Sequence, residues 1–137
     1  MRFLRRRQPK SRAELPKTPV TYPSGICVKT EKGAYLLAKD GKRYLIPTKA
    51  IMDSWNYPLI LDSSEAALAN YPVGVIKVGF RDGSLLNNIA DGRLYVVSAG
   101  RLRHIVDPAV LDRLGNPEFT VVSQAEIQMM RQGEPIY

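Results

Sequence analysis

The sequence predicts an α+β fold: two tandem units of about 59 residues, each a small antiparallel β-hairpin or sheet with two short helices, behind an extended basic arm. Three observations predict it. The chain matches itself when shifted by 59 positions, each copy passes from strand-like to helix-like spacing, and the positive charge is concentrated at one end.

The shift aligns Asp40–Gly74 with Ala99–Gly133 without a gap. Identical pairs are Gly41/Gly100, Ile46/Ile105, Ala50/Ala109, Asp53/Asp112, Ser64/Ser123, Ala66/Ala125 and Gly74/Gly133. Conservative pairs such as Lys42/Arg101, Ile51/Val110 and Met52/Leu111 hold the same register. The domains expected are an arm at 1–19, a first unit at 20–78 and a second at 79–137.

Each unit repeats one order of local signals. A short apolar strand comes first (26–29; 85–88), and a turn leads to a second (35–38; 94–97). Asp40-Gly41 or Ala99-Gly100 then returns the chain through 43–46 or 102–105. Asp-Gly between apolar runs signals a hairpin, because both central residues of a type I′ turn need positive φ. The period next becomes helical. Thr48 and Asp107 suit N-caps, with Pro108 at the first helical position, where its missing N–H costs nothing. Ile51 with Trp55, and Val110 with Leu114, lie four apart on one face. Asn56 and Gly115 tolerate the left-handed conformation that stops a helix. A short apolar piece follows (59–61; 119–122), and a capping box then opens a second helix at Asp62-Ser-Ser-Glu65 or Ser123-Gln-Ala-Glu126.

Composition bounds the function. The chain has 137 residues, with 45% hydrophobic and 24% charged, which excludes a disordered polymer. Its apolar runs fall short of the roughly 20 residues that span a bilayer, and no signal-peptide apolar region follows the basic start. One cysteine, Cys27, cannot form an internal disulfide, and one histidine, His104, cannot build a histidine-based zinc site. No cofactor and no metal are expected. Residues 1–19 hold seven basic side chains against Glu14, a net +6, whereas the other 118 carry only +1. The sequence pI of 9.7 therefore describes the arm, and the body is near neutral.

Catalysis finds no foothold in the pattern. His104 aligns with Leu45, Cys27 with an apolar residue, and Asp53 and Asp112 sit mid-helix, so packing or solvation explains each. No Walker loop, nucleophile elbow or HExxH motif is present, and the expectation is a non-enzyme. Two sets of basic residues are candidates for binding partners. The first is the arm, through Arg2, Phe3, Leu4, Arg5, Arg6, Arg7, Lys10 and Arg12, which could grip nucleic acid phosphates or lie over acidic surfaces of neighbouring subunits. The second is the post-turn set Lys42, Arg43, Arg101 and Arg103, which reads either as phosphate or glycan contacts or as a solvated strand edge.

Tyr44-Leu-Ile-Pro47, with Asp40-Gly-Lys-Arg43 before it and Ser63–Leu68 and Tyr71-Pro-Val-Gly74 after it, resembles a known repeat. This is the GKRYxxP…W…SxxxL…YPxG-type module found in tandem in many bacterial envelope-associated proteins and in some bacteriophage structural proteins. The second unit fits through Gly92-Arg-Leu-Tyr-Val96, Gly100-Arg-Leu-Arg-His-Ile105 and Asp107-Pro-Ala-Val110, and departs at Arg131-Gln-Gly133. The resemblance covers 22–136 and brings no catalytic residues. It implies small binding or packing units. With no export signal read in the chain, it points to a phage virion component (capsid, head–tail connector or tail) made in the host cytoplasm. Expected partners are other virion proteins in a symmetric assembly and packaged DNA through the arm, with no membrane and no small-molecule substrate. The rival readings are a soluble module that binds cell-wall or surface polymer, and a nucleic-acid-binding accessory protein.

Overall fold

The computed structural model describes residues 15–113 and 115–137. It is a mixed α+β structure with two sheets and, among the described residues, three short helices. By contact the chain divides into two units. The described residues up to Ile46 go with Tyr57–Lys77, and Pro47–Asn56 goes with Val78–Tyr137.

The first sheet holds β1 (Cys27–Thr30), β2 (Gly33–Leu37), β3 (Arg43–Ile46) and β4 (Ile60–Asp62), in the order β3-β2-β1-β4. The first three strands form an antiparallel meander, but β4 lies parallel to β1. The sheet is therefore mixed, which corrects the antiparallel expectation. The physical reason is that the chain crosses back after β3 before adding its last strand, so that strand runs in the direction of β1. One face carries Val28, Tyr35 and Leu37, packed with Ile26 and Leu68 and flanked by Tyr22, Leu45, Leu61 and Tyr71. The other face of β1 buries Cys27 completely.

The segment before β1 is strapped down. Leu15 is buried, the Ser64 hydroxyl donates to the Pro16 carbonyl, and the Val20 N–H donates to the Ala67 carbonyl at 2.9 Å. The Tyr71 hydroxyl brackets Tyr22, accepting from its N–H at 2.9 Å and donating to its carbonyl at 3.2 Å.

The second sheet holds β5 (Leu85–Asn88), β6 (Leu94–Ser98), β7 (Arg101–His104), β8 (Thr120–Val122) and β9 (Arg131–Gln132), in the order β8-β5-β6-β7-β9. Here too β8 is parallel to β5. Partners match those of the first sheet at positions 58 to 60 residues apart: Val28↔Tyr35↔Leu45 answers Leu86↔Tyr95↔His104. The bridge Arg43↔Val73 answers Leu102↔Gln132.

Helix α1 (Lys49–Trp55) is capped as its sequence predicts. Thr48 accepts from the Ile51 N–H at 3.2 Å, and Asn56 ends the helix at φ 48°. Ile51 is fully buried, but Trp55 is 38% exposed and donates its indole N–H to the Gly79 carbonyl at 2.7 Å. Helix α2 (Ala109–Arg113) starts after Asp107, whose carboxylate accepts from the Ala109 N–H at 2.9 Å. Leu114, expected to share a face with Val110, lies outside the described residues. Helix α3 (Gln124–Gln128) opens with the predicted capping box of Ser123 and Glu126. Its counterpart in the first unit does not form a helix, and residues 65–70 make successive turns instead. Ser64, not Asp62, caps this segment by accepting from the Ala67 N–H at 3.1 Å, and the Glu65 carboxylate is turned away toward Thr30 and Arg43.

The two hairpins, both expected to turn tightly at glycine, differ in their turns. Asp40 keeps a negative φ, and only Gly41 is left-handed, at φ 80°. In the second sheet, Ala99 at φ 51° and Gly100 at φ 72° form the two-residue loop with both values positive. An L-alanine pays roughly 1 kcal/mol there. Ala99→Gly is therefore expected to raise stability by about 0.5–1 kcal/mol in chemical denaturation.

Gly74 is repeated as Gly133 for a steric reason. A Cβ on Gly74 would stand 2.1 Å from the Tyr44 ring, which the Asp40 carboxylate holds by accepting from its hydroxyl. Gly74→Ala is expected to destabilise by about 1–3 kcal/mol. In a Tyr44→Ala background most of that loss should vanish, which a thermal-unfolding double-mutant cycle would show.

Candidate functional site

The arm residues Arg2, Phe3, Leu4, Arg5, Arg6, Arg7, Lys10 and Arg12 lie outside the described residues. The post-turn basic residues have separate environments. Lys42 and Arg101 are exposed. Arg43 is drawn inward, with its side chain only 12% exposed. Arg103 donates through Nε to the Glu134 carbonyl at 2.9 Å. Arg101 and Arg103 share one face of β7, where a Cβ on Gly133 would stand 3.1–3.4 Å from their stems, and Arg131 of β9 is the register partner of Arg101.

The remaining chemically capable groups are placed as follows. Burial pushes the Cys27 thiol up, and burial likewise raises Tyr57 to about 12. His104 lies tilted at 42° against Tyr95, with ring centroids 5.5 Å apart. Asp53 pairs with Lys49 at 2.8 Å on an exposed helix face. Among the described residues, no group of three or more His, Cys, Asp or Glu could hold a metal ion.

Each unit instead carries a polar tie from the end of its first strand to the chain leaving its parallel edge strand. In the first unit, the Thr30 hydroxyl donates to Glu65 Oε2 at 2.6 Å. In the second, Asn88 Nδ2 donates to Gln124 Oε1, also at 2.6 Å. Glu65 and Gln124 are 59 residues apart. Sequence reading missed this pair, although the alignment that found the repeat also superposes them.

What surrounds the ties differs. In the first unit, Arg43 Nη1 reaches Glu65 Oε1 at 2.7 Å, with the guanidinium 4.8 Å over the Tyr35 ring. Burial pushes the Glu65 carboxyl up, but hydrogen bonds from Thr30 and Arg43 and the charges of Arg43 and Lys32 outweigh it, leaving its pKa below the ordinary 4.5. In the second unit, Leu102 stands in the register of Arg43 and is fully buried. A cavity of about 460 Å³ opens beside the tie, bordered by Asn88, Tyr95, Gln124, Gln128 and Met130.

A second cavity of about 460 Å³ lies between α1 and the β5–β8 pair, lined by Ala50, Phe80, Leu85 and Leu86, with Lys49 and Asp53 at its rim. Large apolar side chains are also exposed on both outer strands: Ile60 of β4 at 46% and Val121 of β8 at 58%.

Comparison with known proteins finds no matching family model, no matching curated protein and no matching solved structure.

Because the folded-state pKa of Glu65 is lowered, its contribution is complete above the unfolded-state value and is lost as pH falls through the folded value. Acid unfolding monitored by circular dichroism should steepen below about pH 4.5, and Glu65→Gln should flatten that limb. Arg43→Leu, which copies the second unit, should destabilise by about 2 kcal/mol because it strands a half-buried carboxylate. Arg43→Leu combined with Glu65→Gln should recover part of that loss.

Proposed function

We propose that this protein is a non-enzymatic structural component of a bacteriophage particle, built from two tandem modules and an extended basic arm. The modules dock on a symmetric scaffold in the capsid, the head–tail connector or the tail. The arm, through its arginines with Phe3 and Leu4 as anchors, runs across neighbouring subunits or toward packaged DNA. The protein is made in the host cytoplasm and resides in the virion.

The observation that carries this reading is the state of the outer strands. Among the described residues, β4 pairs only with β1 and β8 only with β5, and each leaves a large aliphatic side chain open to solvent. An edge strand with exposed apolar groups is a template for association, and proteins that remain monomeric blunt such edges with charge or cover them. The net positive charge lies in the arm, where it adds long-range attraction for an acidic partner. The resemblance of 22–136 to a module of phage structural proteins points the same way.

Size-exclusion chromatography with light scattering tests this on the full chain, on a chain lacking residues 1–14, and on Ile60→Lys and Val121→Lys, at low and high salt. The expected result is a defined oligomer, or co-sedimentation with particles, for the full chain, weakened by loss of the arm and by either edge substitution. A salt-insensitive monomer that never co-sediments with a particle would overturn the proposal.

A further inference from the structure

We infer that the cavity beside the Asn88–Gln124 tie in the second unit binds a neutral saccharide. Its volume of about 460 Å³ falls in the range of small-molecule sites. Asn88 is 1% exposed, and its Oδ1 accepts from the Ala90 N–H at 3.0 Å. Nδ2 spends one hydrogen on Gln124 and has a second to offer. Tyr95 borders the cavity, and its hydroxyl makes no hydrogen bond among the described residues. The carboxamides of Gln128 and Gln132, which also border the cavity, are unengaged among the described residues too.

These groups choose the ligand class. Carboxamides and a phenol both donate and accept, which matches sugar hydroxyls, and the side chains of Ile127 and Met130 offer apolar surface to the C–H face of a ring. An anion would need an uncommitted cation. The bordering Arg93 has Asp91 beside it at 3.6 Å, so its charge is offset where it stands.

The first unit shows the same register closed. Thr30 stands for Asn88, Glu65 for Gln124 and Tyr71 for Met130, and the Arg43 guanidinium occupies the position over the tyrosine ring. Leu102 cannot make that ion pair. The two copies thus split between a version closed by the Arg43–Glu65 pair and one whose cavity-bordering Gln128 and Gln132 carboxamides are unengaged among the described residues. This site does not depend on the virion reading, since a particle component and a free module could each carry it.

Titrating the ¹⁵N-labelled full chain with chitotriose, maltotriose and inorganic phosphate tests the inference by NMR. The expected result is a saturable shift of the Asn88, Gln124 and Gln128 side-chain amides with at least one of the two saccharides, and none with phosphate. Leu102→Arg with Gln124→Glu rebuilds the sealed arrangement and, in a variant that circular dichroism shows to be folded, should weaken binding about tenfold, roughly 1.4 kcal/mol. Should that variant fail to fold, Gln128→Ala decides, with an expected loss of about three- to tenfold. No shift with either saccharide up to about 50 mM, a response to phosphate alone, or equal affinity in a folded variant would overturn the site.

Discussion

The parallel edge strand is the constraint on which each unit depends. A three-stranded meander of four- and five-residue strands offers only a small apolar face. Adding β4 or β8 widens the sheet, but a parallel neighbour is reached only after a long crossover, whose closure entropy must be offset. The chain is therefore pinned where the crossover ends. Thr30–Glu65 and Asn88–Gln124 tie the last residue of the first strand to the segment leaving the edge strand. Backbone bonds beside the ties (Ser63 N–H to the Lys29 carbonyl at 2.8 Å, Ile89 N–H to the Val122 carbonyl at 2.9 Å) close the same seam. Behind it, Leu68 and Ile127 are carried into the buried layer.

The crossover has a further consequence for α1. Its N-cap Thr48 donates to Glu126 Oε2 at 2.7 Å, and the other oxygen of Glu126 accepts from the Ser123 N–H at 3.1 Å. One carboxylate thus serves the N-termini of two helices, where a negative charge also favours the helix dipole. The Ser54 hydroxyl, accepting from the Arg81 N–H at 3.2 Å, and the Trp55 indole extend the attachment. A helix read from the sequence as part of the first repeat is held by groups of 78–137. Helices this short have little stability of their own and stay folded through such contacts.

The local signals in the sequence were sound where one side chain decides the backbone. β3 at 43–46 and β5 at 85–88, the Thr48 cap, the left-handed Asn56 and the Ser123–Glu126 box follow from residue types acting within four positions. The failures needed long-range information. Asp40-Gly41 and Ala99-Gly100 both read as tight glycine turns, yet the two positive φ values occur at Ala99-Gly100, because the Ser98↔Arg101 register leaves only two residues to connect. The helix expected from Asp62 is lost because Glu65 is recruited by Arg43, 22 positions away in sequence. Arg43 itself looked like a solvent-facing cation, and nothing within its strand shows that a ring and a carboxylate await it. Parallel pairing of the edge strands was equally invisible, since three-residue strands carry no signature of direction.

Divergence between the two units explains why one set of polar groups is spent and the other is not. Arg43 satisfies Glu65 and covers Tyr35, but its own buried Nε has no oxygen partner among the described residues, so sealing the first unit has a cost. The second unit removes that cost with Leu102 and removes the charge with Gln124, keeping the tie itself neutral. A neutral tie needs no counterion, so nothing has to fill the space above Tyr95. His104, which takes the place of Leu45, lies tilted at 42° against that ring and does not border the cavity. Leu102 in place of Arg43 therefore leaves Asn88 and Gln124 tied to each other with no charged partner, whereas the first unit commits a cation to the same register.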